Sequence, residues 1–176
     1  MRRFIQLTAI TFLAACGNAD AAPGASSASA SDMLGSPAPA TADGATTADQ
    51  TLPEVVVYKT ETCGCCNGWV EHLRAAGFQV DARNVRDLMA VKLEAGVPGP
   101  LVTCHTALVD GYVVEGHVPA DQVKRMLDER PDIAGIGVPG MPVGSPGMEG
   151  PNPQPYQVVA FDEDGGLSVY AEVRPR

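Results

Sequence analysis

Val55-Val56-Val57-Tyr58-Lys59-Thr60-Glu61-Thr62-Cys63-Gly64-Cys65-Cys66-Asn67-Gly68-Trp69-Val70-Glu71-His72-Leu73 reads as strand, turn and helix in one run. The β-branched and aromatic residues Val55 to Tyr58 have the pattern of a buried strand, and the polar Lys59 to Thr62 that of a loop. Cys66, Trp69, Val70 and Leu73 then recur at i, i+3, i+4 and i+7, the apolar stripe of a helix, and Gly77 supplies its C-terminal stop. Cys63, Cys65 and Cys66 therefore sit where a strand hands over to a helix. Unpaired N–H groups and the positive end of the helix dipole favour the ionised thiolate there, which is both the nucleophile and the metal ligand.

The chain beyond continues the alternation. Phe78 to Val85 reads as a second strand, Arg86 to Ala95 as a helix ended by Gly96, and Leu101 to His105 as a third strand after the Pro98-Gly99-Pro100 break. Thr106 to Val109 and Tyr112 to Glu115 flank Asp110-Gly111, a two-residue hairpin signal. His117-Val118-Pro119 leads into a helix over Ala120 to Glu129, with Val123, Met126 and Leu127 on its apolar face. From Pro131 to Pro155 the chain is dense in Gly and Pro and carries Met141 and Met148. That segment is too irregular for a helix or strand and too long for an idle connection, so it is expected to fold over the site or to bind something. Tyr156 to Phe161 and Leu167 to Tyr170, around Asp162-Glu163-Asp164-Gly165-Gly166, make a final hairpin with a solvated acidic turn.

The N-terminal part bears on compartment. Met1-Arg2-Arg3 is a basic n-region and Phe4 to Ala14 a short apolar h-region, too short to span a membrane and of the kind a signal peptide has. Leu13-Ala14-Ala15-Cys16 resembles the lipobox of bacterial lipoproteins. By that resemblance residues 1–15 are removed, Cys16 is lipidated, and the protein is anchored on the periplasmic side of a bacterial membrane, the outer one in preference. Residues 16–52, dominated by Ala, Ser, Thr, Pro, Gly and Asp, cannot bury enough apolar surface to offset their ordering entropy and read as a tether. Residues 53–176 are the size of one domain, and the 45% apolar share is ample for one core. The formal charge of −9, more negative still once Arg2 and Arg3 leave, argues against nucleic acid and leaves the lipid anchor as the only membrane contact.

The order strand, helix, strand, helix, hairpin, helix, with Cys63 and Cys66 forming a CxxC at the first strand-to-helix turn, resembles the thioredoxin fold over residues 54–129. The expected class is therefore α/β: a thioredoxin-like mixed sheet flanked by helices, with a Gly/Pro/Met-rich loop and a C-terminal hairpin. In that fold a proline faces the dithiol, and Pro100, or else Pro98, takes the part. A redox dithiol needs only two cysteines. Here Cys65 adds a third, and Cys104-His105 would bring a fourth thiol beside an imidazole to the same turn. Thiolates so gathered suit soft metals, Cu(I), Zn(II) or iron–sulfur clusters. Adjacent helical residues project about 100° apart, so either Cys65 or Cys66 points elsewhere or several ions share bridging thiolates. The rival is a Cys63–Cys66 disulfide couple, because a bridge within CGCC closes a small ring that is readily reduced.

His105, next to Cys104 on the expected strand, should face the opposite side of the sheet. His117 precedes a helix and could approach the thiols from the side. His72 reads as a surface or packing residue. Met141 and Met148 offer soft thioethers.

The segments Tyr58-Lys59-Thr60-Glu61-Thr62-Cys63-Gly64-Cys65-Cys66, Val97-Pro98, Cys104-His105-Thr106, Gly116-His117-Val118-Pro119 and Gly137-Val138-Pro139-Gly140-Met141-Pro142, continued by Gly144-Ser145-Pro146-Gly147-Met148-Glu149, resemble a bacterial family long catalogued as a domain of unknown function, with members in copper-resistance operons. That resemblance implies a periplasmic copper-handling protein with a thiolate-bound site for copper as Cu(I), of one ion or several. Its ligands would be Cys63, Cys65 or Cys66, and Cys104, with His105, His117, Met141 and Met148 as further candidates. Copper ions and other periplasmic copper proteins would be its partners. Nothing in the chain forms a Ser-His-acid arrangement, a phosphate loop or a nucleotide fingerprint.

Overall fold

The first strand and helix stand where the hydrophobic pattern places them, as β1 (Val55–Lys59) and α1 (Gly64–Ala75). The computed structural model describes residues 51–175; the expected signal peptide, Cys16 and the tether up to residue 50 lie outside them. Cys66, Trp69, Val70 and Leu73 form the buried stripe of α1. The helix stops where Phe78 N–H donates to Leu73 O at 3.1 Å and Gly77 N–H to Arg74 O at 3.0 Å, the paired bonds of a Schellman cap.

β2 (Val80–Asn84) lies parallel to β1, and α2 (Leu88–Glu94) follows, shorter than expected at both ends. Its start is set by Asp87, whose carboxylate accepts the Ala90 N–H at 3.0 Å, so Arg86 remains outside. The Asp110-Gly111 turn joins β3 (His105–Val109) to β4 (Tyr112–Glu115), with positive φ at both residues (47° and 87°), as a primed two-residue turn requires. α3 (Ala120–Glu129) buries Val123, Met126 and Leu127 as the pattern implied.

Two expectations fail. The third strand does not begin at Leu101: Gly99–Leu101 is a 3-10 turn, and residues 102–104 stand outside the ladder. Pro98 and Pro100 bring no N–H to a ladder, and the Thr103 N–H goes to the Glu115 carboxylate at 2.7 Å. The segment from Pro131 is also not wholly irregular. Gly135–Gly137 forms β5, buried throughout, paired with β4 in parallel and with β6 (Tyr156–Phe161) in antiparallel. A Cβ on Gly135 would meet Val113 O at 2.1 Å, so the residue that hides the strand from propensity is the one that lets it fit. β7 (Leu167–Val173) completes the sheet, in the order β2-β1-β3-β4-β5-β6-β7.

The mixed sheet is packed on both faces. Val55, Val57, Ala107 and Val109 meet Trp69, Val70 and Leu73 of α1 and Val123 and Met126 of α3 on one face. A smaller cluster of Val97, Leu101, Val113 and Phe161 lies apart from it, and the alternation of Val113 and Val114 along β4 puts it on the other face. Among the described residues no helix is long and apolar enough to cross a membrane.

Candidate metal centre

The start of α1 converges with the residue just before β3. Cys63 is the N-cap of α1, half-buried, its thiol side unused in capping, while Cys66 is fully buried one turn on. The two are joined as a disulfide. Cys65 and Cys104 are free and half-buried. Cys65 Sγ lies 3.5 Å from Cys63 Sγ and 3.9 Å from Cys104 Sγ, and Cys66 Sγ lies 3.5 Å from Cys104 O. All four sulfurs fall within 4.8 Å of one another. Neither Cys65 nor Cys66 points elsewhere, because Cys104 approaches from the sheet and Cys63 sits on the curling cap.

Of the two prolines expected to face the dithiol, Pro100 is exposed in the 3-10 turn and Pro98 is half-buried just before it, while Cys104 brings its carbonyl to Cys66 Sγ. The alternation argument for His105 also fails, since Cys104 precedes the strand and the rule of opposite faces does not apply to the pair. His105 Nδ1 lies 3.4 Å from Cys104 Sγ and His117 Nε2 3.2 Å from it, giving a second group of donors that shares Cys104. Both imidazoles are fully buried. Trp69 stacks on His105 with ring centroids 4.4 Å apart, and His117 meets His105 edge-on at 5.0 Å. The indole N–H donates to Val118 O at 2.7 Å, so Trp69 ties α1 to the turn that carries His117.

The tautomer of His117 follows from its neighbours. Its Nδ1 is 2.8 Å from Pro146 O, a carbonyl that can only accept, so Nδ1 carries the proton and Nε2 turns its lone pair toward Cys104. Such an outer hydrogen bond is how a ligating imidazole is commonly oriented. Burial lowers the His117 pKa, and it pushes His105 down to about 3, with His117 and Lys92 adding to the effect. Burial, with the Cys65 thiol beside it, pushes the Cys104 thiol up to about 12. Without a cation the group is a thiol and two neutral imidazoles. His105 Nε2 is buried with no hydrogen-bond partner among the described residues. A donor set of this kind fits a soft cation that displaces thiol protons.

The Gly/Pro-rich loop does fold over the site. Gly147, at φ +80°, lies so close to α1 that a Cβ would meet Cys65 O at 2.5 Å and Trp69 N at 2.7 Å. That approach delivers Pro146 O to His117. Met141 is exposed (53%) and, with Val102, Thr103, Cys104 and Gly140, lines an open cavity of about 360 Å³ that reaches Cys104. Met148 is half-buried and fixed by its backbone, donating to Ser145 O and accepting from Gly144 N–H at 2.8 and 2.9 Å. His72 packs: its Nε2 accepts the Ala120 N–H at 3.0 Å, capping α3.

Sequence reasoning missed a buried polar network under Cys104. Glu115 (0% exposed) receives Lys92 Nζ at 2.6 Å, and Thr106 joins both, accepting from Lys92 and donating to Glu115. A signal for it was present, because a two-residue turn at Asp110-Gly111 sets Thr106 opposite Glu115.

Fold and site define an α/β protein in which the start of α1, the residues entering β3 and the turn before α3 bring together two donor groups that share Cys104, one of four cysteines and one of Cys104 with His105 and His117, each able to hold a metal ion. The family model described as "Protein of unknown function, DUF411" matches residues 101–148. Two solved structures, titled "Copper resistance protein copG", Form 2 and Form 1, are each 46% identical to this chain. They cover 70% and 71% of it and 99% of their own chains, both with a TM-score of 0.66. The chain belongs to the family of the copper resistance protein CopG. Among curated proteins nothing matches it.

Proposed function

We propose that this protein binds copper as Cu(I), through the thiolates of Cys63, Cys65, Cys66 and Cys104, in the sequestration, delivery or redox handling of the metal. One observation carries the reading: four cysteine sulfurs lie within 4.8 Å of one another in a chain 46% identical to a copper resistance protein. Thiolates select Cu(I) over harder cations. Cys104 belongs both to the all-cysteine group and to the group with His105 and His117, so its sulfur is placed to bridge two ions, which supports more than one copper per chain. His117 is the better oriented of the imidazoles. Met141, at the mouth of the cavity to Cys104, is the thioether an arriving ion would meet, with Met148 a further candidate in the turn behind it.

The copper-binding form is the reduced one, in which two electrons and two protons have opened Cys63–Cys66. We place the domain, residues 53–176, outside the cytoplasm on the tether of residues 16–52, held through lipidated Cys16 at the periplasmic face of the outer membrane. That placement rests on the signal and lipobox patterns of residues 1–16. Other periplasmic copper proteins are the partners it implies.

The disulfide favours a second reading, a thiol–disulfide oxidoreductase on a thioredoxin-like scaffold, for which the parallel β1–β2 pair and the antiparallel β3 and β4 beside it are the support. Half-buried Cys63 would attack a substrate disulfide and release one substrate thiolate. Cys66 would then displace the second, so that two electrons leave the dithiol and the Cys63–Cys66 bond forms.

An anaerobic Cu(I) titration of the reduced domain against a chromophoric chelator, beside Cys104→Ser, separates the two. Tight uptake of one or more ions per chain, sharply weakened by the substitution, is expected. Uptake no tighter than the chelator's, and indifferent to Cys104→Ser, would sink the copper reading and leave the dithiol couple.

A further inference from the structure

We propose that Glu115 is a positioning residue for Cys104: its carboxylate replaces the missing sheet ladder of residues 102–104 and holds the thiol at the metal centre. The inference rests on the reading of Cys104 as a copper ligand. Residues 102–104 lie between the 3-10 turn and β3, without strand pairing. Val102 N–H closes the 3-10 turn on Gly99 O at 3.3 Å and Cys66 Sγ reaches Cys104 O, while Thr103, between them, is held by one side chain from β4. Glu115 Oε1 accepts the Thr103 N–H at 2.7 Å and the Thr103 hydroxyl at 2.9 Å, and Oε2 accepts the Thr106 hydroxyl at 2.7 Å. The residues on either side of the Cys104-His105 pair are thus pinned to the same carboxylate.

The same stretch of β4 sets the other side of the centre. Glu115 O accepts the Val138 N–H at 3.0 Å, and Gly116, whose Cβ would meet Thr103 Oγ1 at 2.6 Å, turns the chain into His117. Thr103, Gly116 and His117 are therefore mutually fixed around Cys104. Lys92 supplies the balancing charge from α2. A buried ion pair alone is weak evidence for stability, since an apolar replacement of both partners is often tolerated. What marks this one is that its acceptor capacity is spent on the segment carrying a thiol.

The test uses paired substitutions, so that no buried charge is left alone. Lys92→Met/Glu115→Leu removes the whole anchor, whereas Lys92→Met/Glu115→Gln keeps an amide oxygen for Thr103. Cu(I) affinity of the reduced, folded protein is measured for each, with and without Cys104→Ser. The leucine variant is expected to bind about 10–100-fold more weakly, the scale of lost outer hydrogen bonds at metal sites. The glutamine variant should recover most of that loss. In the Cys104→Ser background neither pair should weaken binding further, because the anchor acts only through that thiol. Parent-like affinity of the leucine variant, or an equal loss in the Cys104→Ser background, overturns the proposal while the copper reading stands. If Cys104→Ser alone changes nothing, the copper reading fails and takes this one with it. Should the leucine variant not fold, Thr103→Val, which removes one hydroxyl, carries the same comparison with a smaller loss.

Discussion

His105 shows how far burial sets the chemistry of a residue. Its pKa stands at about 3 in the folded protein against 6.5 for a free imidazole, chiefly through desolvation, with His117 and Lys92 opposing a further positive charge. Between those values the unfolded chain binds a proton that the folded one refuses, so stability is full above pH 6.5 and is lost as the pH falls toward 3. His72 and His117, also lowered by burial, act in the same direction. His105 alone is expected to remove about 2 kcal/mol between pH 7 and pH 5, read as a lower denaturant midpoint of the metal-free protein. Ring nitrogen shifts give a direct check: at pH 5 the folded His105 should still be neutral, and a His105 resonance titrating near 6.5 would refute the assignment.

At the scale of elements, the contact between α1 and the loop over it admits only glycine. Gly147→Ala must move the loop off Cys65 and Trp69 and abandon a positive φ, and is expected to cost about 1–3 kcal/mol. Gly64→Ala, on the same helix with nothing within 4 Å of its Cβ, is the control and should leave the denaturation midpoint nearly unchanged. If the two variants unfold at the same midpoint, the loop does not press on α1 in solution.

The elements legible in the sequence were those whose burial is written in a period. α1, α3 and the β3–β4 hairpin show their apolar positions or turn residues directly, and α1 together with the chain entering β3 carries the thiols to the centre. β5 was not legible, because two of its three residues, Gly135 and Gly137, are of the type depleted in strands and allow close backbone approach, leaving Ile136 alone to signal it. The irregular path of residues 102–104 depends on a carboxylate from another strand, so no local pattern announces it. For the site, the four cysteines and both imidazoles were visible as candidates, while Lys92, Thr103 and Glu115 gain their meaning only from tertiary contact.

For the whole molecule, the proposed copper site would draw on the same sulfurs that the disulfide occupies. With Cys63–Cys66 closed, Cys65 and Cys104 are the thiols left among the described residues. The oxidised protein is therefore expected to take up Cu(I) more weakly than the reduced protein. Equal affinity before and after anaerobic reduction would mean that the CGCC pair plays no part in binding. The 176-residue chain contains one tryptophan, and the stacking of that residue on His105 places the only indole against the donor set. Because Trp69 is fully buried, its emission is expected to lie to the blue of exposed tryptophan and to serve as an internal optical gauge of reduction, unfolding and the proposed copper loading, with no dye attached.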